Sequence, residues 1–289
     1  MANDLGREKL SWESGLWDRI DQAVNKEGER TRIARRFIPW VPMPDALTTP
    51  RDKVSVDLAL TVDEGTTVPL IEIWVEFALT KQQVQAEEQL ATGVTLATRA
   101  TNLLAQAEDL LIFQGKSATE SRALFTSEKV GVRAGSPGAG LLKEPNPETA
   151  ITPSDPEDSS RYGENTFGGV TKAYSDLQER GHYGPYALVL HTNTYADTYA
   201  PLKETLIMPA DRIKPLMDKG FYGTGTVRPW SGLLFSLGGN TIDLVIGQDA
   251  ITAFMQEDSQ GMYRFRVFER FVVRDKDPTG REQLDFRRP

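Results

Sequence analysis

The sequence predicts an α+β fold, and three observations carry that reading. Residues 53–62, 68–79 and 263–274 alternate apolar and polar side chains, the period of a half-buried strand. Residues 11–37 and 82–114 instead repeat apolar side chains every three to four positions, the period of an amphipathic helix. These blocks follow one another without a solenoid-length repeat.

The chain has 289 residues, 39% of them hydrophobic and 26% charged, enough to bury a sizeable core. It contains 0 cysteines, which excludes disulfide scaffolds, thiolate metal sites and cysteine nucleophiles and fits a reducing cytoplasm. The formal charge is -8, with 41 acidic against 33 basic side chains, so a nucleic-acid partner is not expected. The opening MANDLGREKLSWESG lacks the apolar core of a signal peptide, and no later run of about 18 apolar residues offers a membrane span.

In residues 11–37, Ser11 is placed to cap the helix, and Trp12, Leu16, Ile20 and Val24 share one face. Gly28 is a candidate break, and Ile33 and Phe37 sit one helical turn apart in a basic stretch with Arg30, Arg32, Arg35 and Arg36. Pro39, Pro42, Pro44 and Pro50 then forbid further helix. Residues 53–62 and 68–79 read as one long β-hairpin turning at Asp63-Glu64-Gly65, with Pro69 marking an edge or bulge. A lone hairpin is marginal in water, so this arm must lie on its own body or on another subunit. Residues 82–114 read as a spine helix, interrupted near Gly93 and stopped by Gly115.

Residues 135–163, rich in Pro, Gly, Ser, Asp and Glu, read as an exposed loop. A helix is expected over 165–180, a strand buried on both faces at 186–190, helical pieces near 192–202 and 210–219, and strands at 232–237, 241–246, 252–256 and 263–274.

Familiar catalytic signatures fail one by one. Gly115-Lys116-Ser117 looks like the tail of a phosphate-binding loop, but Leu110 stands where its first glycine belongs. Gly220, Gly223 and Gly225 read as a turn. His182 and His191 are too far apart for a zinc helix, and no G-x-S-x-G elbow exists. The pairs Glu87-Glu88 and Glu108-Asp109 diverge around a helix and read as solvated faces or intersubunit salt bridges.

Four segments, residues 67–79, 107–115, 181–190 and 243–249, resemble encapsulin shell proteins in order and spacing. The resemblance implies the tailed-phage major capsid protein fold of the Hong Kong 97 type: an N-terminal helical arm (1–44), an extended β-hairpin loop (45–79), a peripheral domain with a spine helix (80–185 and 229–289) and an axial domain (186–228). It implies a non-enzymatic, homo-oligomeric icosahedral shell in the cytoplasm, enclosing a cargo enzyme that carries a C-terminal targeting peptide. Peroxidases and ferritin-like iron oxidases are the family's usual cargo, which would tie the compartment to oxidative stress or iron storage. In similar proteins the peptide docks between the N-terminal helix and the C-terminal strands. The matching positions are Ile33 and Phe37 on the helix, Ile251 and Phe254 on the strand side, and Arg32 and Arg36 beside them. Lys203, Glu204 and Thr205 match a pore loop. Where some members stack a flavin on Trp, this chain has Gln82, so no cofactor is expected. A phage head protein that packages DNA is the alternative reading, and a hydrolase is a third without a nucleophile–base pair to support it.

Overall fold

The computed structural model describes residues 5–55, 60–63, 66–133, 135, 138–143, 150–151, 162–201 and 206–286. Its helices are α1 (Ser14–Thr31), α2 (Lys81–Gln85), α3 (Glu87–Leu90), α4 (Thr92–Gln114), α5 (Lys116–Ser121), α6 (Ala123–Thr126), α7 (Tyr162–Glu179), α8 (Thr192–Asp197) and α9 (Pro209–Ile213). Its strands are β1 (Trp40–Pro42), β2 (Thr48–Pro50), β3 (Lys53–Ser55), β4 (Thr61–Asp63), β5 (Thr67–Pro69), β6 (Ile71–Thr80), β7 (Gly131–Arg133), β8 (Ala150–Ile151), β9 (Tyr186–His191), β10 (Phe221–Thr224), β11 (Ser231–Ser236), β12 (Ile242–Glu257), β13 (Met262–Asp275) and β14 (Arg281–Phe286).

Two five-stranded sheets organise them. The first runs β1-β12-β13-β6-β7 and the second β10-β9-β11-β14-β8. Helices α1 and α4 pack together against the first sheet, and α7 packs on the second. Ile20, Val24, Leu104, Phe113, Phe265 and Phe271 meet in the main core, where full burial of such a side chain contributes about 1.5–3 kcal/mol. The second sheet draws β9 and β10 from within residues 186–228 and β11 and β14 from beyond them.

Helix α1 is shorter than its sequence pattern at both ends. It starts at Ser14 behind Glu13, and Trp12 lies ahead of it, stacked on Phe265 with its indole N–H on the Val84 carbonyl at 3.0 Å. Gly28 does not break the helix; a Cβ there would meet the Arg32 guanidinium at 2.7 Å, so the glycine makes room for that side chain. The chain leaves the helix at Arg32, whose backbone is extended.

The spine breaks at Ala91, in the left-handed region at φ 50°, and not at Gly93. The buried Glu87 carboxylate accepts the N–H groups of Gly93 (2.6 Å) and Val94 (3.0 Å), capping α4 with charge. A Cβ on Gly93 would stand 3.1 Å from that carboxylate. Glu87 is therefore part of the interior and not of a solvated face.

The arm is a ribbon of different register from the one expected. Thr48↔Pro69 to Pro50↔Thr67 and Lys53↔Asp63 to Ser55↔Thr61 are the pairs, so residues 53–55 meet 61–63 and not the second run expected opposite them at 68–79. Residues 71–80 belong to the first sheet, paired from Ile71↔Phe271 to Thr80↔Met262 with β13 and on the other edge with β7. A ten-residue partner strand outcompetes a two-stranded ribbon because it buries Ile71, Ile73, Val75 and Leu79.

Several strands were not evident from composition, β10 and β14 among them. Phe221–Thr224 forms β10, parallel to β9, where three nearby glycines read as a turn; Gly223 leaves space for the Tyr195 ring. β14 is mostly polar but pairs with β11 and buries Leu284. Most of the loop expected at 135–163 lies outside the described residues. Within it, Leu141 and Leu142 enter the core, their N–H groups on the carbonyls of Ile112 (3.0 Å) and Phe113 (2.8 Å).

Candidate docking groove

A groove of about 570 Å³ runs between α1 and the irregular middle of β12. Asp21, Asn25 and Glu29, four residues apart, form one wall along α1. Gln248 to Ile251 form the other, where the register of β12 shifts against β13. Trp40, at the start of the edge strand β1 and 53% exposed, also lines it. Arg32, Arg35 and Arg36, on the turn that follows α1, complete the lining.

Two of these arginines are committed to the fold. Arg32 Nε lies 2.6 Å from Glu108 Oε2, and its guanidinium also bonds Glu269 and reaches Asp249 at 3.3 Å. Arg35 meets Glu108 at 2.6 Å, Asp249 at 2.9 Å and Glu269 at 3.2 Å. Glu108 and Glu269 are both 0% exposed. Next to them, Asp109 accepts the N–H groups of Ile33 (2.9 Å) and Ala34 (3.0 Å). The turn after α1 is thus bolted to α4 and β13, and Glu108-Asp109 is an internal pair with no solvated or intersubunit face.

Burial disfavours charge on every member of this cluster, and the partners decide who keeps it. Burial acts against the Arg32 charge, but Glu269, Glu108 and Asp249 outweigh it and hold the guanidinium above its ordinary value. Burial also opposes the Asp249 charge, and Arg35 and Arg32 outweigh it, holding the carboxyl low. Asp109 is pushed up to about 7 by burial, against the pull of its two backbone donors. Glu269 is pushed up to about 8 by burial and by Glu108, despite both arginines.

The residues expected to form the docking site separate into two groups. Arg32, Arg36 and Ile251 line the groove. Arg36 is exposed, with its guanidinium on the Arg30 carbonyl at 2.7 Å, whereas Arg32 has no charge to spare for a peptide. Ile33 is only partly buried but packs against the core. Phe37 is 4% exposed and stacks between Tyr222 and Phe235, and Phe254 packs on Phe265 and Tyr263 with its N–H on the Leu5 carbonyl at 2.9 Å. Both are core side chains outside the groove lining.

Sequence reasoning missed Trp40, the polar stripe of α1 and the β12 irregularity. Trp40 between two prolines was the available signal: an aromatic residue in an extended segment with no apolar periodicity around it. Lys203, Glu204 and Thr205 lie outside the described residues; Leu206 and Ile207, which follow, are 94% and 58% exposed. His191 caps α8 through the Asn193 N–H at 3.3 Å, whereas His182 makes a tertiary contact, its Nε2 2.8 Å from Thr279 Oγ1 and 3.8 Å from Asp277, across 97 residues of chain to Thr279. Among the described residues there is no cluster of three side chains able to hold a metal ion, and no helix long and apolar enough to cross a membrane.

Comparison with known proteins gives a family match over nearly the whole chain. The Linocin_M18 family, described as encapsulating protein for peroxidase, matches residues 2–133 and 139–272. The type 1 encapsulin shell protein EncA of Myxococcus xanthus is 26% identical, over 96% of this chain and 95% of that protein. Among solved structures, the virus-like particle of Pyrococcus furiosus superposes with a TM-score of 0.63 at 16% identity, covering 93% of this chain and 99% of that one. The capsid of Myoviridae phage XM1 does so with a TM-score of 0.54 at 12% identity, covering 84% and 87%. These two likenesses establish the fold as that of phage-capsid-like particles.

Proposed function

This chain belongs to the Linocin_M18 family of encapsulating proteins, the encapsulin shell proteins, and from that premise we propose that its copies close into a hollow icosahedral compartment in the cytoplasm. The subunit is structural and performs no chemistry of its own; the chemistry belongs to an enclosed cargo enzyme, of peroxidase or ferritin-like iron oxidase class. The observation that carries the reading is a family match on both sides of residues 134–138, joined to a capsid-type fold.

The division of labour follows the elements. Residues 1–44 form the N-terminal arm, 45–79 the extended loop toward a neighbouring copy, 80–185 with 229–289 the peripheral domain, and 186–228 the axial domain. In the last, the loop with Lys203, Glu204 and Thr205 lines a symmetry-axis opening, where charge tunes ion passage. The groove between α1 and β12 receives the C-terminal peptide of the cargo. Trp40 and Ile251 supply its apolar contacts, and Arg36 and Glu29 its open charges. One peptide binds weakly in such a site, but a cargo oligomer presenting several copies to a shell binds strongly.

Electron microscopy of the purified protein is expected to show closed, hollow particles; a monomer or dimer persisting across salt and pH refutes the reading. Nuclease-resistant DNA inside the particles would instead favour a phage head protein. Trp40→Ala with Ile251→Asp is expected to leave particle yield unchanged and to lower co-purified cargo about tenfold or more. Undiminished cargo places docking elsewhere.

A further inference from the structure

The groove wall that carries Ile251 is the least regular part of β12. Its register against β13 runs from Gln248↔Arg270 to Ile251↔Phe268, so Asp249 and Ala250 stand against Glu269 alone, the arrangement of a bulge. On the other edge of β12, β1 pairs only from Leu244 to Ile246 and gives this stretch no ladder. A wall supported so little by its own sheet needs other ties if it is to keep a fixed place opposite α1.

Two polar ties supply them, one on each side of Ile251. Before it, Asp249 Oδ1 accepts the Ala250 N–H at 2.8 Å and meets the guanidinium groups of Arg35 at 2.9 Å and Arg32 at 3.3 Å, both on the turn that follows α1. After it, Arg7 donates to the Thr252 carbonyl through Nε (3.0 Å) and Nη2 (2.7 Å), and to the Asp21 carboxylate of α1 through Nη1 (2.8 Å) and Nη2 (2.7 Å). One guanidinium therefore joins α1 directly to β12. It also lies over the Trp17 ring at 4.6 Å, and its segment is fastened again where the Leu5 carbonyl accepts the Phe254 N–H at 2.9 Å. The planar fork of an arginine can serve a carboxylate and a carbonyl together, a pattern the point charge of a lysine cannot reproduce.

We infer that Arg7 and Asp249 are positioning residues of the groove: they clasp the bulged stretch of β12 from either side of Ile251 and so set the distance at which that side chain faces α1. Arg7 stands outside the groove lining and acts only through Asp21 and Thr252; Asp249 lines the groove, but its carboxylate is turned to Arg35 and Arg32. The inference rests on the docking reading for its purpose. It adds that the segment ahead of α1 belongs to the framework of the site, although no residue of that segment touches the groove's interior.

The absence of native cysteine lets one spin label be placed on each wall, at Asn25→Cys on α1 and Gln248→Cys on β12. Labelled chains diluted about twentyfold with the parent report the distance within one subunit by pulsed electron paramagnetic resonance. A slip of one strand position would move the β12 label by about 3.3 Å, well within the resolution of the method. Arg7→Lys, which keeps the charge and loses the fork, and Asp249→Asn, which keeps the shape and loses the charge, are each expected to shift the mean by about that much or to broaden the distribution at least twofold. Glu120→Gln, which opens the exposed pair with Lys116 on α5, is expected to leave it unchanged. Distributions in both variants that overlay the parent overturn the inference, and an Arg7→Lys chain that overlays it removes Arg7 from the clasp. If either variant fails to fold, salt serves on the parent: at about 1 M, where the Debye length falls to about 3 Å, the half-exposed Asp249 tie should weaken and the distribution broaden, and an unchanged one overturns the clasp. The distance is read without cargo. A groove of parental width that takes up no cargo therefore removes the docking reading alone, and a width indifferent to Arg7 and Asp249 removes the clasp alone.

Discussion

Arg32→Ala removes the centre of the ion cluster beneath the candidate groove. It leaves Glu108 and Glu269, both fully buried, sharing Arg35 alone, which stands 2.6 Å from one and 3.2 Å from the other. Breaking a buried pair by deleting one partner costs about 3–5 kcal/mol, because the remaining charge is left without compensation. For a chain of this size each kcal/mol moves the thermal midpoint by about 2–4 °C, so a loss near 10 °C is expected at pH 8.5. The cost should shrink as pH falls. The orphaned carboxyls escape it by binding a proton, and Glu269 is already pushed up to about 8 in the parent. Scanning calorimetry of the particles at pH 8.5 and pH 5.5, with Arg32→Ala and Arg32→Ala/Glu269→Gln side by side, separates these effects. The double variant is expected to recover at least half of the loss at pH 8.5, since the neutral amide no longer needs the guanidinium. A midpoint within about 1 °C of the parent, or a loss of equal size at both pH values, would refute the claim that this cluster holds the turn in place.

Asp109 and Glu269, raised to about 7 and about 8, contribute stability that is complete below about pH 4 and is lost as pH rises through those values, so the parent midpoint should fall between pH 5.5 and 8.5 and the fall should flatten in Asp109→Asn/Glu269→Gln. Glu27, held down to about 2 chiefly by its bond to Arg30, contributes in the opposite sense: its stabilisation is present above about pH 4.5 and lost as pH falls toward 2, so acid unfolding curves of Glu27→Gln should show a smaller loss over that range. Glu87→Ala, which uncaps the spine helix, is expected to cost about 1–2 kcal/mol in denaturant titrations. Phe37→Ala should cost about 3–5 kcal/mol, whereas a substitution confined to the groove at Ile251 should leave the same titration within about 1 kcal/mol.

How much of this was legible in the sequence depended on whether a signal was local. The α+β class, helix α1, the spine, β9 and the long strands β6 and β13 were readable because each carries an apolar period that its own burial requires. The arm's register was not. Asp63-Glu64-Gly65 has turn composition, but the competition that decides the register is between residues 71–80 pairing with the run 53–62, as expected, and pairing with β13, some 190 residues away in the chain. β10 and β14 failed for a related reason: glycines and charges are poor strand formers alone, and only the neighbouring strands β9 and β11 make them pair.

The groove turns on one short misreading with large consequences. Taking residues 30–37 as helix places Ile33 and Phe37 on one face beside Arg32 and Arg36. The helix in fact ends at Thr31, and each residue of the following turn then points where tertiary partners take it: Arg32 to Glu108 and Glu269, Phe37 to Tyr222 and Phe235, Arg36 to solvent. The basic run that looked like a binding surface is mostly a structural clamp. What it leaves at the groove surface is the Trp40 ring and Ile251 among polar neighbours, with Asn25, Glu29 and Arg36 exposed. In the proposed docking mode the Trp40 ring and Ile251 hold the peptide and charge sets its direction. Reversing Arg36 to Glu should accordingly reduce loading less than removing Trp40 and Ile251 together. The reverse ranking in cargo co-purification would mean that electrostatic attraction, and not apolar contact, holds the cargo.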